Sequence, residues 1–209
     1  MARSMGTGQA AVLPTPPPDL TLTTESTSRV KRSGVSFEVP WIETDKSKLA
    51  SNSEALNFTN GVEMLVGRPS RSLEIVRATR GIQAAAVRYE LGSDVLSSQF
   101  ALTLAALGTS ADDAKWWRTP IYNEKVEFLL MEKNVVAGIA SGAQAVPIYS
   151  FSLGQIRGFQ IGDPKGRRNF VHLYLFDKAD HSCGISLFNF QNVTQSEINE
   201  LVATLRFEK

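Results

Sequence analysis

Residues 170–176 constrain the fold more than any other stretch of the chain, because they are apolar on both faces of a strand. One face has Val171, Leu173 and Leu175, and the other has Phe170, Tyr174 and Phe176. Side chains alternate across a strand, so a strand of this kind is usually central in its sheet and covered on each side. The segment therefore predicts a sheet with further layers on both of its faces.

The next segment, 181–188, is the predicted partner of this strand. Its apolar residues again fall on odd positions, and they are Cys183, Ile185 and Leu187. An antiparallel hairpin that aligns the two apolar faces requires a three-residue loop, 178–180, with Asp177 opposite His181. Asp180 suits the left-handed backbone conformation that such a loop needs.

The end of the chain predicts a helix followed by a short strand. Thr194 and Glu197 have the spacing of a capping box, in which each side chain accepts a hydrogen bond from the backbone of the other. The apolar residues that follow recur on one helix face, and they are Ile198, Leu201, Val202 and Leu205. Leu205 and Phe207 then alternate with charged residues, which indicates a final strand.

A second helix is predicted over residues 94–107, with Ser93 as its cap and Gly108 at its end. A short helical turn capped by Ser110 is expected to follow and to stop before Pro120.

Other segments rich in β-branched and aromatic residues predict further strands. They are residues 35–39, 54–58, 62–66, 73–79, 84–91, 126–132, 135–139, 148–153 and 157–162. For residues 73–91 a helical structure is the alternative. Asn60-Gly61 signals a hairpin. A two-residue loop there sets Phe58 opposite Glu63, whereas the apolar pattern favours Phe58 opposite Met64, so we expect a bulge or a longer loop.

The first 32 residues read as a disordered tail, and residues 33–209 as one domain. Prolines 14, 16, 17 and 18 and a Thr/Ser-rich run leave this tail too little apolar surface to offset its ordering entropy. The start lacks the apolar stretch of a signal peptide, so the expected location is cytoplasmic as written. It is extracytoplasmic if the start is truncated or misplaced.

Residues 134–156 are uncharged and long enough for a membrane span. Polar residues and Pro147 interrupt them, so two buried strands are predicted and no transmembrane segment.

Composition narrows the function classes. The net charge of +1 argues against nucleic-acid binding, and one cysteine excludes a disulfide framework and a cysteine zinc site. No phosphate-binding or dinucleotide-binding glycine motif is present, so no cofactor is expected. Cys183 belongs to an apolar face, so a cysteine–histidine catalytic pair is not expected. Asp177 and His181 are interpreted as a solvated ion pair rather than a metal site.

Two clusters are candidate recognition residues. Trp116, Trp117 and Arg118 combine aromatic and cationic side chains, which are enriched at interface hot spots. Adjacent tryptophans cannot face the same way, so one of them is expected in the core. The basic turn with Arg167 and Arg168 suits an acidic partner. Each cluster also has an alternative without function. The tryptophans can be buried or half-buried aromatics, and the arginines can belong to a solvated loop.

Three passages resemble the PsbP-like family, named for an extrinsic subunit of photosystem II, which also includes a small Ran-binding nuclear-import factor. They are GVSFEVPW at residues 34–41, the meander from 158 to 188, and residues 194–207. The resemblance implies an α+β fold with an antiparallel sheet flanked by helices, an α/β/α sandwich. It also implies a binding or assembly role without catalysis, and no functional residue of the family carries over.

The sequence therefore predicts a non-catalytic module that binds another protein or assembles a complex, with its oligomeric state open. One alternative is an enzyme or ligand-binding domain with a pocket between sheet and helix. Another is an envelope-associated structural protein that is tethered by its N-terminal tail.

Overall fold

The structure is a computed structural model that describes residues 12–14, 28–44, 48–50, 53–67, 71–114, 117–137, 147–164, 170–189 and 193–208. The chain divides into two compact units, each with its own apolar core. The helical unit holds the first four helices, and the sheet unit holds most of the strands and the last helix. The predicted α+β class with antiparallel sheets is confirmed. Two compact units can belong to one domain or to two, so a single domain stays a prediction.

The strands are β1 (Val12–Pro14), β2 (Ser28–Arg32), β3 (Val35–Val39), β4 (Lys48–Ala50), β5 (Ser53–Asn57), β6 (Glu63–Gly67), β7 (Ile148–Leu153), β8 (Ile156–Ile161), β9 (Phe170–Phe176), β10 (Ser182–Phe188) and β11 (Arg206–Phe207). The helices are α1 (Ser72–Ala78), α2 (Ile82–Val95), α3 (Gln99–Gly108), α4 (Pro120–Ala137) and α5 (Gln195–Thr204). One sheet has the order β1-β7-β8-β9-β10-β6-β5-β4, and a second has the order β11-β3-β2.

The hairpin of β9 and β10 has the predicted register. Leu175 lies opposite Cys183, and the Asp177 amide donates a hydrogen bond of 3.1 Å to the His181 carbonyl. Asp180 has a positive φ of 67°, as the three-residue loop requires. Leu173 on one face of β9 and Phe176 on the other are fully buried, so both faces of this strand are covered as predicted.

The hairpin of β5 and β6 has a three-residue loop, 59–61. The Phe58 amide donates to the Val62 carbonyl at 2.9 Å, and Leu56 lies opposite Met64. The expectation of a longer loop was therefore right, but the pairing of Phe58 with Met64 was wrong. The observed register brings the two fully buried side chains of Leu56 and Met64 together and keeps the apolar faces aligned.

The capping box of α5 is confirmed. Thr194 Oγ1 accepts from the Glu197 amide at 3.3 Å, and Glu197 Oε2 accepts from the Thr194 amide at 2.7 Å. The apolar face of α5 belongs to the core of the sheet unit, so α5 is a helix that flanks the sheet. The final strand is also confirmed, since Phe207 in β11 pairs with Val35 in β3.

The predicted tail reached too far along the chain. Residues 28–32 form β2, which pairs with β3 through a two-residue turn at Ser33 and Gly34, both with positive φ. Val30 is its buried residue, between the exposed Arg29 and Lys31. A single apolar residue gives too weak an alternation to be recognised in sequence. Elsewhere in the predicted tail the structure describes residues 12–14, as β1.

Four strand predictions were wrong, and they lie in the helical unit. Residues 73–78 belong to α1, which Thr79 caps, residues 84–91 belong to α2, and residues 126–132 and 135–137 belong to α4. Residues 138–139 lie outside the described residues. The helical alternative for residues 73–91 is the one observed. Apolar side chains such as Tyr89 and Met131 are exposed on these helices, and they obscured the helical period.

The predicted start of the second helix was also wrong. Residues 94 and 95 end α2, and α3 begins at Gln99 with Ser98 as its cap, whose side chain accepts from the Ala101 amide at 3.0 Å. Gly108 ends α3 as predicted. The short helical turn at Ala111–Asp113 and the stop before Pro120 are confirmed.

Membrane-spanning character was tested in the described helices. None of them is long and apolar enough to cross a bilayer. In the uncharged stretch, the strand predicted at 148–153 is confirmed as β7, and residues 138–146 lie outside the described part of the chain.

Candidate functional site

The start of α4 presents an aromatic and cationic surface. Pro120 takes the first helical position, where a missing N–H costs nothing, and Thr119 caps the helix by accepting from the Tyr122 amide at 3.2 Å. This turn holds Trp117 and Arg118 ahead of the helix. Trp117 is 62% exposed, so it does not belong to the core.

Cations lie over one ring in this surface. The Arg118 guanidinium carbon is 4.9 Å from the centroid of the Tyr122 ring, and Lys125 Nζ is 5.6 Å from it. Ile121 beside them is 39% exposed. Cation–π contacts hold a long arginine side chain in one place, which lowers the entropy cost of binding through it. We call Trp117, Arg118, Ile121, Tyr122 and Lys125 the Trp117 surface.

Three of the predicted recognition residues cannot be placed. Trp116, Arg167 and Arg168 lie outside the described residues. The structure therefore brings together Trp117 and Arg118 from the predicted set, and it adds Ile121, Tyr122 and Lys125. Sequence reasoning missed these three because residues 126–132 were read as a strand, which hid the helix that places positions 118, 122 and 125 on one side.

The cysteine of β10 is placed as predicted. Cys183 is fully buried, and burial raises the pKa of its thiol to about 12. A thiol with so high a pKa supplies little thiolate at neutral pH, and the thiolate is the nucleophile.

The histidine of β9 lies on the opposite face of the sheet. His172 Nδ1 is 2.7 Å from Ser186 Oγ across the strand pair. Burial lowers the pKa of His172 to about 4, so its ring is neutral at pH 7.

Asp177 and His181, the residues of the predicted pair, are in contact in the loop between β9 and β10. His181 Nδ1 lies 2.8 Å from Asp177 Oδ2, and the His181 side chain is 67% exposed. No group of three His, Cys, Asp or Glu side chains in the described residues is arranged to hold a metal ion.

The sheet unit has a hollow of about 240 Å³ at one end, between the turns that follow β7 and β9. Its lining includes Gln155, Arg157, Lys178 and Asp177, the partner of His181. Arg157 Nη2 lies 3.5 Å from Asp180 Oδ1, so the arginine is already in an ion pair. Pockets for small molecules are usually roughly 300–1,000 Å³ and largely enclosed, and this hollow is open at a turn.

Two charged side chains are buried in the helical unit. Glu132 accepts a hydrogen bond from Gln99 at 3.3 Å, and Gln99 in turn accepts from the Leu73 amide at 2.8 Å. Lys133 donates to the Thr109 carbonyl at 2.8 Å. Burial raises the pKa of Glu132 and lowers that of Lys133. These hydrogen bonds join α1, α3 and α4, so the burial of Glu132 and Lys133 is explained by the packing of these helices.

Exposed large apolar residues concentrate in the helical unit. Of the nine found in the described residues, all except Ile42 lie there: Ile75, Ile82, Tyr89, Leu104, Trp117, Ile121, Met131 and Val135. A group of exposed apolar side chains indicates an interaction surface, whereas scattered exposed apolar side chains are common on any protein.

No protein-family model matches the chain, and no curated protein is similar to it in sequence.

Proposed function

We propose that this chain is a non-catalytic module that binds another protein through the Trp117 surface. The carrying observation is the exposed Trp117 beside Arg118, which is stacked on Tyr122. Tryptophan, tyrosine and arginine are the residues most enriched at interface hot spots.

The chemistry of the partner follows from this surface. Arg118 and Lys125 add positive charge beside Trp117 and Ile121. A partner with an apolar anchor flanked by carboxylates fits this surface, because opposite charge steers the encounter and the anchor supplies buried area.

Other features support the absence of catalysis in this proposal. The buried Cys183 has a high pKa, and the hollow that Asp177 lines beside the exposed His181 is small and open. The resemblance to the PsbP-like family agrees with a binding or assembly role.

The test replaces Trp117 with alanine. Proteins captured from the source cells by the wild-type chain are identified by mass spectrometry, and the affinity of the purified partner is then measured by calorimetry. Truncating a hot-spot tryptophan should weaken binding by about tenfold or more. Thermal unfolding should be unchanged because the side chain is mostly exposed.

Val135→Ala is the matched control, since Val135 is an exposed apolar residue on the same helix outside the Trp117 surface. It should bind like the wild type. Equal affinity of Trp117→Ala and the wild type for the same partner contradicts the proposal. A loss of stability in Trp117→Ala returns the residue to a structural role.

A further inference from the structure

Helix α2 is apolar on two opposite sides. One side packs into the core of the helical unit through the buried Leu91 and the half-buried Val87. The other side has the helical spacing of one stripe: Ile82, Ala85, Ala86 and Tyr89. Ile82 is 91% exposed and Tyr89 is 86% exposed. Exposed apolar side chains that are grouped on one face mark an interaction surface, so this stripe calls for a covering surface.

We propose that the α2 stripe is the contact of a symmetric homodimer, in which two copies of α2 pack antiparallel. A two-fold axis that passes between Ala85 and Ala86 sets Ile82 of each copy against Tyr89 of the other. The same patch then serves on both subunits, as an isologous interface requires.

Side-chain size along the stripe suits this arrangement. The two alanines lie at the crossing point, where small residues let helix axes approach closely. The large side chains, Ile82 and Tyr89, lie at the two ends of the stripe. In the dimer, Ile82 of one copy therefore contacts Tyr89 of the other at each end, on either side of the alanines. The pattern of large, small, small, large reads the same in both directions, and it is therefore self-complementary.

The charged residues at the two ends of the α2 stripe are also complementary between two antiparallel copies. Arg80 precedes the stripe and Glu90 follows it, and neither has an ion pair among the described residues. In the antiparallel dimer Glu90 of one copy lies opposite Gly81 of the other, next to Arg80. Gly81 is the N-cap of α2 and offers no side-chain cap, so a carboxylate there also meets the positive end of the helix dipole. This complementarity favours a second copy over an unrelated partner.

The area of the stripe sets the expected strength. A large aromatic side chain buries about 150–250 Å², whereas a stable interface buries about 800 Å² on each partner. One stripe is smaller than that, so the dimer should form and dissociate with protein concentration in the micromolar range.

The test is sedimentation velocity of the full chain over a series of concentrations. The wild type should shift from monomer to dimer as the concentration rises. Ala85→Glu places two carboxylates beside the two-fold axis, and glutamate is a good helix former, so this variant should stay monomeric with unchanged circular dichroism. The control is Ala179→Glu, the same change at an exposed alanine in the loop between β9 and β10, and it should dimerise like the wild type.

Charge reversal tests the register. Arg80→Glu alone and Glu90→Arg alone should each raise the dimer dissociation constant by about tenfold, because each sets like charges together. The double variant should restore it. A wild type that stays monomeric at every concentration, or an Ala85→Glu variant that still dimerises, overturns the proposal. Trp117→Ala should dimerise normally, which keeps this test separate from that of the proposed function.

Discussion

Glu197 links the start of α5 to a buried indole, and its removal tests how much this link stabilises the sheet unit. Glu197 Oε2 accepts from the Thr194 amide at 2.7 Å, and Glu197 Oε1 accepts from Trp41 Nε1 at 3.0 Å. Trp41 is buried and packs edge-on against Phe58, with the ring centroids 5.3 Å apart. One carboxylate therefore caps a helix and pairs the only polar atom of a core side chain.

Glu197→Ala should lower the free energy of unfolding by two separate amounts. Thr194 still caps the helix, but its own amide loses the hydrogen bond to Glu197, which costs about 1 kcal/mol. A buried donor without its acceptor costs about 1–3 kcal/mol. The sum of about 2–4 kcal/mol is a large part of the roughly 5–15 kcal/mol by which a folded protein is stable. Urea unfolding followed by circular dichroism measures it.

A double-mutant cycle separates the two amounts. Trp41→Phe removes the indole N–H, so Glu197→Ala in that background should cost only the hydrogen bond of the Thr194 amide, about 1 kcal/mol. Ser196→Ala is the control, because Ser196 is exposed in the same turn of α5, and it should stay within about 0.5 kcal/mol of the wild type. An equal cost of Glu197→Ala in both backgrounds would refute the role of the Trp41 bond.

Three further predictions address the sheet unit. Burial lowers the pKa of His172 to about 4, below its unfolded value of about 6.5, so the unfolded chain binds more protons than the folded chain between these pH values. The free energy of unfolding of the wild type should therefore fall by about 1–2 kcal/mol from pH 6.5 to pH 5. A His172→Gln variant whose stability falls by the same amount contradicts the role of His172. Cys183 should react with a thiol reagent at pH 8 only after unfolding in urea, and prompt labelling of the folded chain contradicts its burial. A Cβ at Gly158 would overlap the Tyr174 carbonyl oxygen, so Gly158→Ala should lower the free energy of unfolding in urea by about 1–3 kcal/mol. Gly67→Ala is the control and should lower it less, because the nearest atom to a Cβ there is 3.6 Å away.

Much of the sheet unit could be predicted from the sequence, because its signals are local. Val171, Leu173 and Leu175 alternate strictly, and this alternation with the loop at 178–180 allows one register only. The capping box of Thr194 and Glu197 fixes the start of α5 within four residues of chain. Such patterns hold whatever the rest of the molecule does.

The helical unit could not be predicted in this way. On α2 and α4, the exposed Tyr89 and Met131 look in sequence like the buried Leu91 and Leu130, so no single apolar face stood out. The candidate site depended on the same error. Arg118 and Tyr122 are neighbours because α4 begins at Pro120, and no helix was predicted there.

The sequence by itself determined the strands around 170–188, the last helix and the α+β class, because alternation, loop length and capping act between residues close in the chain. Only the tertiary structure decided which apolar side chains are buried and which face solvent. Burial depends on contacts between distant segments, and both surfaces proposed for binding consist largely of apolar residues that those contacts leave exposed.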